Sequence, residues 1–167
     1  MLLWYAGLAF LLVWLVFRSP AVDYRLVILG AVLPIVPGLL GWPGWFHGLL
    51  VPSVVLVAVL LVARGRRLRQ RALLGIPIGM AFFLVLDFAW TETTTFWWPF
   101  LGTSVAPLDW PGRPVPVLVL QEVVGLVVLV WCWVRFGLTE SEKRQRFWTT
   151  GQLDRSVAAG EPGPPTC

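Results

Sequence analysis

Apolar residues along this chain come in long unbroken runs, separated by short stretches that hold nearly all the charge. Five runs stand out, over residues 2–17, 26–42, 46–63, 72–90 and 115–134. None alternates apolar with polar positions as a half-buried strand would. At about 1.5 Å per residue, runs of 16 to 20 residues reach roughly 24–30 Å, the thickness of a bilayer's hydrocarbon core. The pattern predicts an all-α, polytopic membrane bundle of about five transmembrane helices. The first run is short and would span with local thinning. The second is interrupted by Gly30, Pro34, Pro37, Gly38 and Gly41. Such backbone is tolerated at membrane depth only against protein or a cavity.

Charge orients the bundle. Residues 64–71 carry five arginines (Arg64, Arg66, Arg67, Arg69 and Arg71) and no acid. The positive-inside rule places this loop in the cytoplasm. Parity then puts Arg18 and Arg25 inside, the turn at His47 and the segment 91–114 outside, the N-terminus outside and the C-terminus inside. A re-entrant second run could not keep both Arg18/Arg25 and the arginine loop on one side, so it is expected to cross. The tryptophans fall near run ends or beyond them, as an interfacial belt requires. Trp42 and Trp110 are assigned to the outer side, Trp14 and Trp148 to the inner.

Composition agrees. The 167 residues are 57% hydrophobic and only 13% charged, with net charge +4, which belongs to the membrane class. The basic excess points to anionic lipid headgroups at the arginine loop, with no direct contact to nucleic acid expected. The apolar start lacks a basic n-region and a small-residue cleavage site, so an uncleaved first helix is expected. Two cysteines, Cys132 and Cys167, make no disulfide framework.

The predicted organisation is a five-span domain over 1–135, an amphipathic interfacial helix over 136–150, and a disordered tail over 151–167. Thr139-Glu140-Ser141-Glu142 reads as a capping box opening the helix. Lys143, Arg144 and Arg146 beside Phe147 and Trp148 suggest that it lies on the inner surface. The run 158–165, rich in Pro, Gly and Ala, supports the disordered tail.

Ionisable groups within apolar runs carry the candidate chemistry, because a charge at membrane depth is costly unless paired. His47 (the only histidine), Asp87 and Glu122 all fall in the outer half by parity. One imidazole and two carboxylates would hold a divalent metal with a position open for water. Alternatively, the two carboxylates would share a proton. Structural readings stand beside these: His47 at the headgroup level, Asp87 as a hydrogen-bonded carboxyl near a helix end, and Glu122 bonded to Ser53 or a backbone carbonyl. Phe96-Trp97-Trp98-Pro99 reads as an interfacial lid.

At these residues the chain resembles the bacterial inner-membrane metal-dependent hydrolases, also described as LexA-binding inner-membrane hydrolases, in a Trp-rich actinobacterial form. The resemblance runs through Asp23-Tyr24-Arg25-Leu26, Gly30 to Pro34, His47-Gly48-Leu49-Leu50, Leu74 to Gly79, Leu84 to Asp87 with Trp90, and Phe96 to Pro99. It continues at Glu122 and Gly125, Arg135 to Leu138, and Arg146-Phe147 with Thr150-Gly151. Order and spacing carry it more than any single motif. It implies a location in the bacterial cytoplasmic membrane and a divalent metal (zinc, manganese or magnesium) held partly by residues at the positions of His47 and Asp87. Two further ligand positions hold Ile35 in place of Asp and Phe83 in place of His, and neither side chain ligates a cation. The resemblance therefore implies a relative that is no longer catalytic, with a scaffold or interaction role and a protein partner. The alternatives are an active hydrolase using His47, Asp87 and Glu122, and a small transporter or proton-linked protein using Asp87 and Glu122.

Overall fold

The computed structural model describes residues 1–19, 22–40, 44–102 and 112–153. Across these residues the chain is helical, without strands. Trp42, Trp110, the run 158–165 and Cys167 lie outside the described residues.

The first apolar run forms α1, Leu2–Phe17, which ends where Arg18 turns left-handed at φ 44°. The second run is divided. Asp23 caps α2, Tyr24–Val32, its Oδ1 accepting the N–H groups of Arg25 and Leu26 at 3.1 and 3.4 Å. The cap starts the helix two residues before the apolar run. Pro34, which has no N–H to give, separates α2 from α3, Ile35–Leu39. A 3₁₀ turn at Gly44–His47 leads into α4, Leu50–Val62, which begins later than the apolar run suggested.

The arginine loop is itself largely helical. Arg67–Leu73 forms α5 and runs through Leu74 into α6, Gly75–Leu86. Arg, Leu and Gln are good helix formers, and charge alone had masked this. The fourth run stops short of its predicted end: Asp87 caps α6, and Phe88 turns left-handed at φ 57°. A 3₁₀ turn at Ala89–Thr91 and the short α7, Thr93–Phe96, follow. The fifth run is α8, Val115–Arg135, and the tail helix is α9, Ser141–Thr150.

By length and composition, Arg67–Leu86 and Val115–Arg135 suffice to cross a membrane; Leu2–Phe17, Tyr24–Leu39 and Leu50–Val62 are shorter apolar helices. They run alternately between two poles. One pole holds Met1, His47, Asp87, α7 and Arg113; the other holds Asp23, α5, Gly75 and α9.

Glycines set the two most extensive helix pairings, α2 with α6 and α1 with α8. A Cβ at Gly75 would lie 2.9 Å from the Asp23 carbonyl oxygen, and one at Gly79 would collide with Val27 and Ala31. Gly75 and Gly79 thus form a GxxxG face that lets α2 and α6 approach backbone to backbone, in parallel. On α1, a Cβ at Gly7 would lie 2.7 Å from the Gly125 carbonyl oxygen of α8. By contrast, α4 buries only Pro52, and α8 buries only Gly125 and Cys132. Most of their other apolar side chains are exposed, which suits lipid better than water.

At the arginine pole the tail is docked onto the bundle. Gly151, at φ 70°, closes α9 and accepts the Tyr24 N–H on its carbonyl at 2.9 Å. Arg25 donates to the carbonyls of Trp148 and Thr149. Phe147 is buried, its ring 6.3 Å from Phe10, and Leu153 is buried as well. The helix expected at the inner surface therefore also packs on the bundle, together with residues 151–153; the remainder of the expected tail lies outside the described residues. The capping box is also not formed: Glu140 is the N-cap without a side-chain cap bond, and its carboxylate pairs with Lys143 at 2.8 Å.

Candidate functional site

Asp87 is the centre of the polar cluster at the other pole. As the C-cap of α6 it projects its carboxylate between three elements. Its Oδ1 accepts the Tyr5 hydroxyl of α1 at 2.7 Å and an Arg113 Nη2–H at 3.1 Å. The same Arg113 nitrogen donates to the Asp87 backbone carbonyl at 3.3 Å. Oδ2 lies 3.4 Å from His47 Nε2. That separation brings the two groups into electrostatic contact, but the angles do not make a hydrogen bond. Both His47 ring nitrogens, and Arg113 Nη1, are buried without a hydrogen-bond partner among the described residues.

His47 is only 6% exposed, held between the cluster and the hydrophobic core. The Phe83 ring meets the imidazole edge-on with centroids 5.1 Å apart, and meets the Tyr5 ring at 4.8 Å. Phe83 thus fills the space between His47 and Tyr5. Ile35 is buried in the same apolar cluster, and α3 packs against the Gly44–His47 turn. Nearby, the aromatic segment is tied over that turn: Leu49 donates its N–H to the Phe96 carbonyl at 3.0 Å, and Trp45 stacks with Trp98 at 6.3 Å. Two shallow apolar grooves flank it along α4. They share Leu49 and Ser53 and run past Pro52, Pro77 and Ala81 on one side and Phe96 and Trp97 on the other.

His47 and Asp87 therefore meet. Glu122 is engaged elsewhere: its Oε2 accepts the Leu3 N–H at 3.0 Å, and its Oε1 pairs with the Met1 amino group. Ser53, one expected partner, instead donates its hydroxyl to the Leu49 carbonyl at 2.7 Å. Among the described residues, no three His, Cys, Asp or Glu side chains converge as a metal-holding group. The donors at Asp87 do not fit a divalent cation. A guanidinium and a phenol already bond one carboxylate oxygen, that guanidinium is a permanent cation 3.1 Å away, and the side chain beside His47 is a phenylalanine ring.

Sequence reasoning missed Tyr5 and Arg113. Both left a trace. Tyr5 is a polar-tipped residue inside an apolar run and one of only two tyrosines. Arg113 is the one basic residue in 91–114, the segment expected on the arginine-poor side.

The arginines of 64–71 lie at the opposite pole. All five are exposed. No family model, no curated protein and no solved structure matches the chain.

Proposed function

We propose that this chain is a multi-pass protein of the bacterial cytoplasmic membrane, crossing five times with the arginine pole inside, and that it serves as a non-catalytic scaffold. The family resemblance supplies the ancestry: a relative of inner-membrane metal-dependent hydrolases whose ligand set has been rebuilt as a structural clasp. The observation that carries the reading is Phe83, wedged between His47 and Tyr5 where a ligand would be needed. With Asp87 tied to Tyr5 and Arg113, the cluster joins α1, α6 and the segment before α8 into one unit. A buried network of this kind fixes a unique arrangement of helices.

The five crossings are supported by the alternating course of the apolar helices between two poles and by the outward apolar faces of α4 and α8. Rigid helices with lipid-facing sides and a docked tail suit a protein that presents its inner pole to a partner.

Metal-dependent hydrolysis is the competing reading, and one observation favours it: the unpartnered His47 nitrogens beside Asp87. Elemental analysis of the detergent-purified protein beside an Asp87→Asn variant separates the two. The scaffold reading expects no stoichiometric metal in either protein. Stoichiometric zinc or manganese in the wild type, lost in Asp87→Asn, would overturn it.

A further inference from the structure

We infer that the arginine-bearing helix α5 forms a binding site for the phosphate of an anionic phospholipid. The inference rests on the membrane reading above and deepens it from a topology signal to a specific lipid site. Arg64, Arg66, Arg67, Arg69 and Arg71 are all exposed, and no acid occurs among residues 64–71. Among the described residues, none of these five guanidinium groups enters a hydrogen bond or ion pair, whereas Arg25 and Arg113 both do.

Gly65, Arg66, Arg67, Leu68 and Arg69 face a wide, shallow and largely open surface. Guanidinium groups grip phosphate oxygens through paired N–H donors, a geometry that a hydrated ammonium does not offer. Leu68, between Arg67 and Arg69, is 83% exposed, and Val62 at the end of α4 is 80% exposed. An isobutyl group held out among arginines gains nothing from binding free phosphate. It gains apolar burial when the phosphate belongs to a lipid whose acyl chains lie beside it. The continuity of α5 with α6 sets this row at the end of a long apolar helix, at headgroup height when that helix spans.

The test uses the full chain reconstituted in phosphatidylcholine vesicles doped with phosphatidylglycerol. The protein is re-extracted in mild neutral detergent, and the lipid that stays with it is quantified. Wild type should retain phosphatidylglycerol in excess of its share of the vesicle. Replacing Arg66, Arg67 and Arg69 with Gln should reduce that enrichment by about tenfold or more. Arg67→Glu alone leaves the other four arginines to hold topology and should already reduce it several-fold. Unchanged enrichment in both variants would overturn the site. Displacement of phosphatidylglycerol by inorganic phosphate at constant ionic strength would overturn the lipid assignment. Release of wild-type protein from vesicles by alkaline carbonate would instead contradict the membrane reading on which the site depends.

Discussion

The Tyr5 hydroxyl donates to Asp87 Oδ1 at 2.7 Å, linking the first turns of α1 to the C-terminal end of α6. Eighty-two positions separate the two residues in the chain. The bond spans the bundle rather than a local turn, and it depends on Phe83 holding the Tyr5 ring in place.

Tyr5→Phe keeps the ring packed against Phe83 and removes only the donor. We expect a loss of about 1 kcal/mol, read as a small fall in melting temperature in detergent. Asp87→Ala should cost more, about 3 kcal/mol, because it leaves the partly buried Arg113 guanidinium without its counter-ion. The double variant should fall short of the sum of the two losses, since both remove one shared bond.

Phe83→His places an imidazole between His47 and Tyr5. We expect this variant to retain more zinc than the wild type and to melt lower. Zinc content no higher than wild type would show that Phe83 does not stand at a ligand position.

The glycine contacts predict a sharp contrast. Gly79→Leu should disrupt the α2–α6 pairing, and Gly125→Leu the α1–α8 pairing, because each added side chain meets backbone that cannot yield. The cost should be at least the 1–3 kcal/mol typical of overpacking, approximately, with reduced yield of folded protein. Gly102→Leu should be close to neutral, since a Cβ there meets open space.

The docked tail makes a proteolytic prediction. Phe147→Ala removes the ring that anchors α9 and should weaken docking by about 3 kcal/mol. Gly151→Ala should do likewise, because a Cβ there meets the Asp23 carboxylate and the position needs φ 70°. Both variants should be cut by trypsin after Arg144 faster than wild type. Unchanged cleavage would argue against docking.

Much of the helical layout was legible in the sequence, because apolar runs of this length have few other solutions. The run 2–17 matches α1 residue for residue, and 115–134 matches α8 to within one position. What the pattern hid was set by single residues or by tertiary contact. Asp23 lengthens α2 at its start, Pro34 divides the second run, and Phe88 ends α6 early. Charge density concealed the helix at Arg67–Leu73. The site was half visible: depth along a span brought His47 and Asp87 together, but depth carries no azimuth. Azimuth around the bundle gives Glu122 to the start of α1, and gives Asp87 to Tyr5 and Arg113.

Every role assigned to the two poles depends on the chain crossing the bilayer with the arginine row inside. Single cysteines at Leu68 and Gly102, in a background with Cys132→Ala and Cys167→Ala, test this with a membrane-impermeant maleimide on intact cells. Gly102→Cys should label directly, and Leu68→Cys only after permeabilisation. Labelling of Leu68→Cys in intact cells would contradict the orientation and both proposals built on it.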